Sequence, residues 1–367
     1  MLSFLLPPRR PRSAAAAARA VTRYRRPGTA HWRVIAEALC RGDWQAQHPA
    51  VQAGPALAPY ADRLAARLRR TQDETLALAL AGTGDVRAVP ALQALAEADR
   101  MPSDRIHAST LAALPAAALL PALRAQLRHP AGMSTLVVLD VLAAWGPDAA
   151  PAVPEVAAHL AETSAGYAAA RALGRIGPAA AAAAEALAAH ATGRTWHGTR
   201  MAAWAHARVT GDDSLALAAC AADLDAGLGS RTLPYLADLG PAAGRHADTV
   251  RALMDSPGEW TRVAAAHAWW RITGDPEPAL PVLTATVAAG WTGHPARPVP
   301  NAVRHLGAIG RPSAGAAPAL SALLAAEERV PEPFEGRRIL VDDRFAADLT
   351  RALERISGQP PLSESPS

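Results

Sequence analysis

A short turn signature recurs along this chain at intervals close to 31 residues. At anchor positions 54, 84, 115, 146, 177, 211, 240, 274, 310 and 358, the spacings are 30, 31, 31, 31, 34, 29, 34, 36 and 48 residues. A period held over five successive anchors indicates a repeat architecture. The copies of the signature are Gly54-Pro55, Thr83-Gly84-Asp85, Leu114-Pro115, Gly146-Pro147, Gly177-Pro178, Thr210-Gly211-Asp212, Gly240-Pro241, Thr273-Gly274-Asp275, Gly310-Arg311-Pro312 and Ser357-Gly358.

Each copy separates two runs with helical character. A run such as Ala168–Ile176 precedes the break, and a run such as Ala149–Leu160 follows it. Gly accepts the left-handed backbone that ends a helix, and Pro supplies the fixed φ of the next helix's first turn. In the Thr-Gly-Asp copies, Asp212 and Asp275 are expected to cap the second helix. Each unit is therefore predicted to be a helix, a tight turn, a second helix and a loop.

One such helical hairpin cannot bury its apolar side alone, so neighbouring hairpins must stack on one another. Half of the chain is apolar, much of that is Ala, and only 4% is aromatic. This composition favours closely packed helices over sheets. We therefore predict an all-α protein, an α-solenoid (superhelix) of about ten stacked helical hairpins.

Charge divides the chain unevenly and predicts its organisation. Residues 1–41 hold nine Arg and one acid, whereas the rest holds 28 Arg and 32 acids. We interpret residues 1–30 as a basic, disordered N-terminal arm, residues 31–358 as the repeat domain, and the Pro- and Ser-rich residues 359–367 as a disordered tail. Because the body is net acidic, nucleic acid is not the expected partner, since phosphate binding needs a basic folded surface.

The absence of certain motifs from the sequence argues against several classes of protein. Cys40 and Cys220 stand far apart with no metal-ligand spacing, which argues against a disulfide framework or a metal site. No apolar run approaches the length of a membrane span. The chain contains no His-Glu-x-x-His, no Gly-x-Ser-x-Gly and no phosphate-binding loop motif. We therefore expect a cytoplasmic protein that has no cofactor and is not an enzyme.

The stretches Ala172–Pro178 and His305–Gly310, with the three Thr-Gly-Asp turns, resemble the HEAT family, and in particular the short bacterial HEAT-like repeats found in phycobilin lyases. The resemblance covers roughly residues 45–358 and implies a solenoid whose second helices line the concave face. It implies little about function, because such repeats bind many unrelated partners. The HEAT-like di-iron hydroxylases use His-Glu pairs as ligands, and this chain has no His-Glu dipeptide.

The tryptophans leave two interpretations open. They fit packing of the core, or an aromatic platform like the Trp- and Arg-lined face of the HEAT-like DNA-alkylation-repair glycosylases. The tryptophans concerned are Trp196, Trp204, Trp260, Trp269 and Trp270.

The second helices of the first five units share a positional pattern. Positions nine and thirteen past each anchor lie one above the other on a helix face and border apolar residues. Their charge alternates along the chain, which suits a protein partner better than a phosphate backbone of one sign. A solvated polar face is the alternative interpretation. The pairs are Arg63/Arg67, Gln93/Glu97, Arg124/Arg128, Glu155/His159 and Ala186/His190.

Two irregular, Pro-rich loops interrupt the period, at residues 290–300 and 327–338. Insertions in solenoids often join the binding surface, although a tolerated linker is the alternative. The candidate partner-binding residues of these loops are Trp291, Phe334, Arg337 and Arg338.

Together these features predict a bacterial, non-catalytic scaffold that binds a protein or peptide. The alternative is a nucleic-acid-binding or DNA-alkylation-repair HEAT-like protein.

Overall fold

The computed structural model of the protein describes residues 13–129, 132–192, 196–291, 297–330 and 337–358. These described residues contain helices and no strand, which confirms the all-α prediction. The chain divides into two compact units, with the boundary between Ala219 and Cys220. The predicted tail, residues 359–367, lies outside the described residues.

The first unit contains helices α1 to α13 and the first half of α14. Short 3-10 segments also follow several of the breaks, at Gly54–Tyr60, Val86–Ala88, Gly146–Ala152 and Gly177–Ala183. The helices are α1 Ala14–Arg23, α2 Thr29–Arg41, α3 Trp44–Gln52, α4 Ala61–Thr71, α5 Glu74–Ala81, α6 Val89–Glu97, α7 His107–Ala112, α8 Ala116–Gln126, α9 Met133–Trp145, α10 Val153–Ala158, α11 Gly166–Ile176, α12 Ala184–Ala191, α13 Trp196–Thr210 and α14 Ser214–Asp225.

The second unit begins within α14 and continues the same alternation. Its 3-10 segments are Gly240–His246 and Arg311–Ala316. The helices are α15 Gly229–Leu239, α16 Ala247–Leu253, α17 Glu259–Thr273, α18 Ala279–Ala288, α19 Val299–Ile309, α20 Ala317–Ala325 and α21 Arg338–Ser357. From α3 onwards, each predicted break falls between an odd-numbered first helix and an even-numbered second helix, except the last, which follows α21.

The breaks use two kinds of turn. In the Gly-Pro copies, Gly177 has a φ of +73° and leads into a seven-residue 3-10 segment. In the Thr-Gly-Asp copies, Gly274 has a φ of +76°, and the Asp275 carboxylate accepts a hydrogen bond from the Glu277 N–H at 3.0 Å. Asp212 accepts in the same way from the Ser214 N–H at 2.9 Å. Asp212 therefore bonds to the first residue of α14, in line with the predicted cap. Asp275 instead bonds within the turn before α18, whose N-cap position is Pro278 and has no side-chain cap hydrogen bond, so the predicted Asp275 cap was wrong.

Apolar residues are buried between neighbouring hairpins. Every residue from Leu76 to Ala81 in α5 is buried, as are six of the 13 residues of α9. In the first unit, α9 packs against α7 and α11, and α11 packs against α13. In the second unit, α15 packs against α17, and α19 packs against α18 and α21. These helices thus bury their apolar sides against the helices of adjacent hairpins.

The N-terminal segment differs from the predicted disordered arm. Residues 14–23 form α1, whose Ser13 side chain accepts from the Ala16 N–H and whose Ala17 and Val21 are fully buried. This helix packs against α2 and α3. Small apolar side chains at helical spacing give α1 a face that these helices can cover, although its composition is basic. Residues 1–12 lie outside the described residues.

One helical stretch among the described residues, Met133–Ala158, is long and apolar enough to cross a membrane by length and composition. It consists of α9, a 3-10 segment and α10, with a left-handed break at Gly146, and half of it is buried within the protein. Core helices meet the same criterion, so this stretch is weak evidence for a membrane span.

Candidate functional site

Predicted residues from neighbouring second helices meet at one point of the first unit. The Arg124 guanidinium on α8 donates to the Glu155 carboxylate on α10, with Nη2 to Oε1 at 2.9 Å and Nε to Oε1 at 3.1 Å. Arg128 donates to the same oxygen at 3.3 Å. Burial tends to raise the pKa of Glu155, but the hydrogen bonds from Arg124 and Arg128 outweigh it and lower that pKa. Two pairs of the predicted second-helix pattern, which lie 31 residues apart in the sequence, are therefore joined by hydrogen bonds.

His159 forms a second link between the same two helical hairpins. Its ring is buried, and Nε2 lies 2.8 Å from the backbone oxygen of Leu127, a position 32 residues earlier. Because a carbonyl only accepts, this nitrogen carries the proton. The other ring nitrogen, Nδ1, lies 3.1 Å from Oε1 of Glu162. His159 therefore fixes the end of α8 against the end of α10.

An open cleft of about 540 Å³ lies over this cluster. Its polar lining consists of Arg128, His129, Glu155, His159 and Glu162. Arg128 is exposed, with 66% of its side chain accessible, whereas only 11% of the Glu155 side chain is. The cleft thus offers an exposed cation beside the Glu155 carboxylate, which Arg124 holds in place.

The remaining predicted second-helix residues are more dispersed. On α4, Arg63 pairs with Glu37 of α2 at 3.0 Å, and Arg67 is half-buried. On α6, Gln93 is half-buried and Glu97 is exposed. On α12, the His190 Nδ1 lies 2.8 Å from the Ala186 carbonyl of its own helix.

The predicted loop residues occupy different environments. Trp291 is half-buried and packs edge-on against the Phe345 ring, with 4.7 Å between centroids and 77° between planes. Arg338 donates to the Arg329 carbonyl at 3.0 Å, and Arg337 is exposed. Phe334 lies outside the described residues. Trp291 is therefore part of the packing of α21.

The structure also contains a buried ion pair that the sequence analysis missed. The Arg329 guanidinium, with 2% of its side chain exposed, lies 3.2 Å from the carboxylate of Asp342, which is 1% exposed. The other Asp342 oxygen accepts from the Val330 N–H at 3.0 Å, and Arg329 also pairs with Asp343. These bonds fasten the chain after α20 to α21. The pair was missed because its members are thirteen residues apart across an irregular loop.

The rings of two histidines on neighbouring first helices stack on each other, a contact that the sequence analysis did not predict. The rings of His267 on α17 and His305 on α19 are nearly parallel, with 3.7 Å between centroids and 11° between planes. Burial, aided by the Arg271 cation, lowers the pKa of His267 to about 4. Burial, with His267 and Arg304, lowers that of His305 to about 2. Both rings are therefore neutral at neutral pH, and their stacking involves no repulsion between cations.

The tryptophans divide between core and surface. Trp204 is buried beneath α11, and the Arg175 guanidinium lies 5.7 Å from the centroid of its ring. Trp269 and Trp270 have guanidinium neighbours on their own or an adjacent helix. Trp260 is 52% exposed. The Trp196 side chain lies outside the described residues.

Neither a metal-binding group nor similarity to known proteins identifies what this site binds. Among the described residues, no group of three or more His, Cys, Asp or Glu could hold a metal ion. No family model matches the chain. No curated protein matches it either. Among solved structures, a crystal structure of an engineered protein is 19% identical and covers 95% of each chain, at a TM-score of 0.36. That score is too low to support a conclusion about fold or function.

Proposed function

We propose that the chain is an α-solenoid of about ten stacked hairpins, of the HEAT-like kind that the sequence resembles. Contacts at the repeat interval support this proposal. Arg124 bonds to Glu155, 31 residues later, and the break glycine Gly146 lies against the Arg175 carbonyl of the next unit, where a Cβ would be 3.4 Å from that oxygen. Positions at or near the repeat interval are thus in contact between neighbouring hairpins, as nearest-neighbour stacking requires.

We further propose that the protein is a non-catalytic scaffold of the bacterial cytoplasm that binds a protein or peptide along its second helices. The cluster of Arg124, Arg128, Glu155 and His159 carries this proposal. Arg124 and Arg128 bond to Glu155, and His159 bonds to the Leu127 carbonyl, so two neighbouring hairpins are linked beneath the cleft. These links keep the shape of the cleft before a partner arrives, which reduces the entropy lost on binding. It presents both signs of charge, which suits a protein surface better than a phosphate backbone.

Site-specific photo-cross-linking tests the proposed face. Ala94 on the second helix α6 and Ala144 on the first helix α9 are both exposed alanines. Each is replaced, one at a time, by a photoreactive amino acid in cells that produce the protein. We expect a discrete cross-linked band from position 94 and little from position 144, read by immunoblotting. Cross-linking only from position 144 would place the partner on the first helices and contradict the proposal.

A further inference from the structure

Four arginines of the first unit lie on two packed helices near one thiol. Arg63, Arg67 and Arg70 recur at four- and three-residue spacing on one face of α4, and Arg41 lies in the last turn of α2. α2 packs against α4, and the Cys40 Sγ lies 3.9 Å from the Arg63 carbonyl. Burial raises the pKa of this thiol, but all four guanidinium charges act on it in the opposite direction. We call Arg41, Arg63, Arg67 and Arg70 the α2–α4 arginine patch.

Most of this patch lacks partner carboxylates. Within the part of the chain that the structure describes, Arg63 pairs with Glu37, whereas Arg41, Arg67 and Arg70 form no ion pair. Elsewhere in the same unit, Arg87 pairs with two aspartates, and Arg105 pairs with Asp140. Like charges three or four residues apart on a helix repel one another, so a bound anion would stabilise this patch.

The patch belongs to a folded basic region. Residues 13–72 hold ten Arg and three acids, and these residues form α1 to α4. The described residues from 73 to 358 hold 23 Arg and 27 acids. Part of the basicity that the sequence analysis assigned to a disordered arm therefore lies on folded helices.

We propose that the α2–α4 arginine patch binds an acidic segment of a polypeptide partner, an inference that rests on the scaffold function proposed above. Arg63 and Arg67 are the first pair of the second-helix pattern, so the patch lies on the face proposed to bind the partner. From residue 63 to residue 70 it extends along α4 by ~10 Å, from the helical rise per residue. An extended chain places alternate side chains ~7 Å apart on one face, so a few carboxylates span it.

The same dimensions disfavour a nucleic acid. Duplex DNA carries a negative charge for every ~1.7 Å of its length and requires a long basic track. The described chain beyond residue 72 is net acidic, so a polyanion that extended past the patch would meet charges of its own sign. A short acidic segment avoids this repulsion.

Binding of a fluorescent peptide of alternating Glu and Ser to the full-length chain tests the proposal. We expect Arg67→Glu with Arg70→Glu to weaken binding at least about tenfold, which corresponds to ~1.4 kcal/mol. The control is Arg69→Glu, since Arg69 is exposed on the same helix but lies off the face that Arg63, Arg67 and Arg70 share. Reversal there should weaken binding by less than about threefold, the scale of an exposed charge.

Protection of Cys40 provides a readout that needs no variant. Cys40 is half-buried, whereas Cys220 is fully buried and serves as an unreactive reference. The peptide is expected to slow maleimide modification of Cys40 in the unaltered protein. No peptide binding, equal losses in both variants, or unchanged Cys40 modification would overturn the proposal.

A duplex of matched charge that bound more tightly than the peptide, with the same loss in the double variant, would assign the patch to nucleic acid instead. If the peptide failed but position 94 still cross-linked a partner, the scaffold function would stand without the patch.

Discussion

The Asp342→Asn variant is expected to lose about 3 kcal/mol of unfolding free energy, the lower end of the range for a broken buried ion pair. The Asp342 carboxylate is almost inaccessible, and it bonds to both the Arg329 guanidinium and the Val330 N–H. Asn keeps the shape but removes the charge, which takes a buried counter-ion from the buried guanidinium, although Asp343 still pairs with it. Urea unfolding followed by circular dichroism measures the loss.

Asp343→Asn is the matched control for this variant. Asp343 pairs with the same arginine, but 48% of its side chain is exposed. Water can replace an exposed carboxylate, so the loss should stay within about 1 kcal/mol. Equal losses in the two variants would show that burial of Asp342 does not determine the strength of this link.

Gly174→Ala is expected to destabilise the first unit by about 1–3 kcal/mol through overpacking. A Cβ at this position would lie 2.9 Å from Cε3 of the Trp204 indole and 3.0 Å from the Ala205 Cα. Trp204 is buried and its ring is rigid, so α11 and α13 must separate. Ala has a helix propensity better than that of Gly by ~1 kcal/mol, so a net loss would be due to the packing.

Gly244→Ala separates packing from the general effect of removing a glycine. No atom lies within 4 Å of a Cβ at position 244, and its φ is not in the left-handed region. We expect this variant to be as stable as the parent or slightly more stable, because Ala restricts the unfolded chain. The thermal midpoints of the two variants provide the comparison. A Gly174→Ala protein as stable as the parent would contradict the close approach of the two helices.

The local signals of the sequence predicted the helices well, for a physical reason. A break such as Gly177-Pro178 acts through φ preferences and missing N–H groups, which depend on a few neighbouring residues. The turn at Asp275, whose carboxylate bonds to the N–H two residues later, is local in the same sense. The helix α1 was missed because its basic composition suggested disorder, whereas its folding depends on α2 and α3, which no local pattern reveals.

The candidate site was predictable only in part. Periodicity placed Arg124 and Glu155 on equivalent faces, but it did not show that they bond to each other. Trp291, a candidate partner-binding residue, is half-buried and its ring packs on Phe345 of the last helix, a contact that the composition of its loop does not reveal. The stacking of His267 on His305 joins residues 38 positions apart, an interval set by a lengthened unit instead of the usual period.

Stacking of the helical hairpins at the 31-residue interval is tested most directly by a charge exchange between Arg124 and Glu155. Each single variant, Arg124→Glu or Glu155→Arg, places like charges together and is expected to lose about 1–3 kcal/mol of unfolding free energy. The double variant restores opposite charges, so it should recover most of the loss in urea unfolding. A double variant whose loss equals the sum of the single losses would show that the two second helices do not meet at these positions, and would contradict the proposed stack.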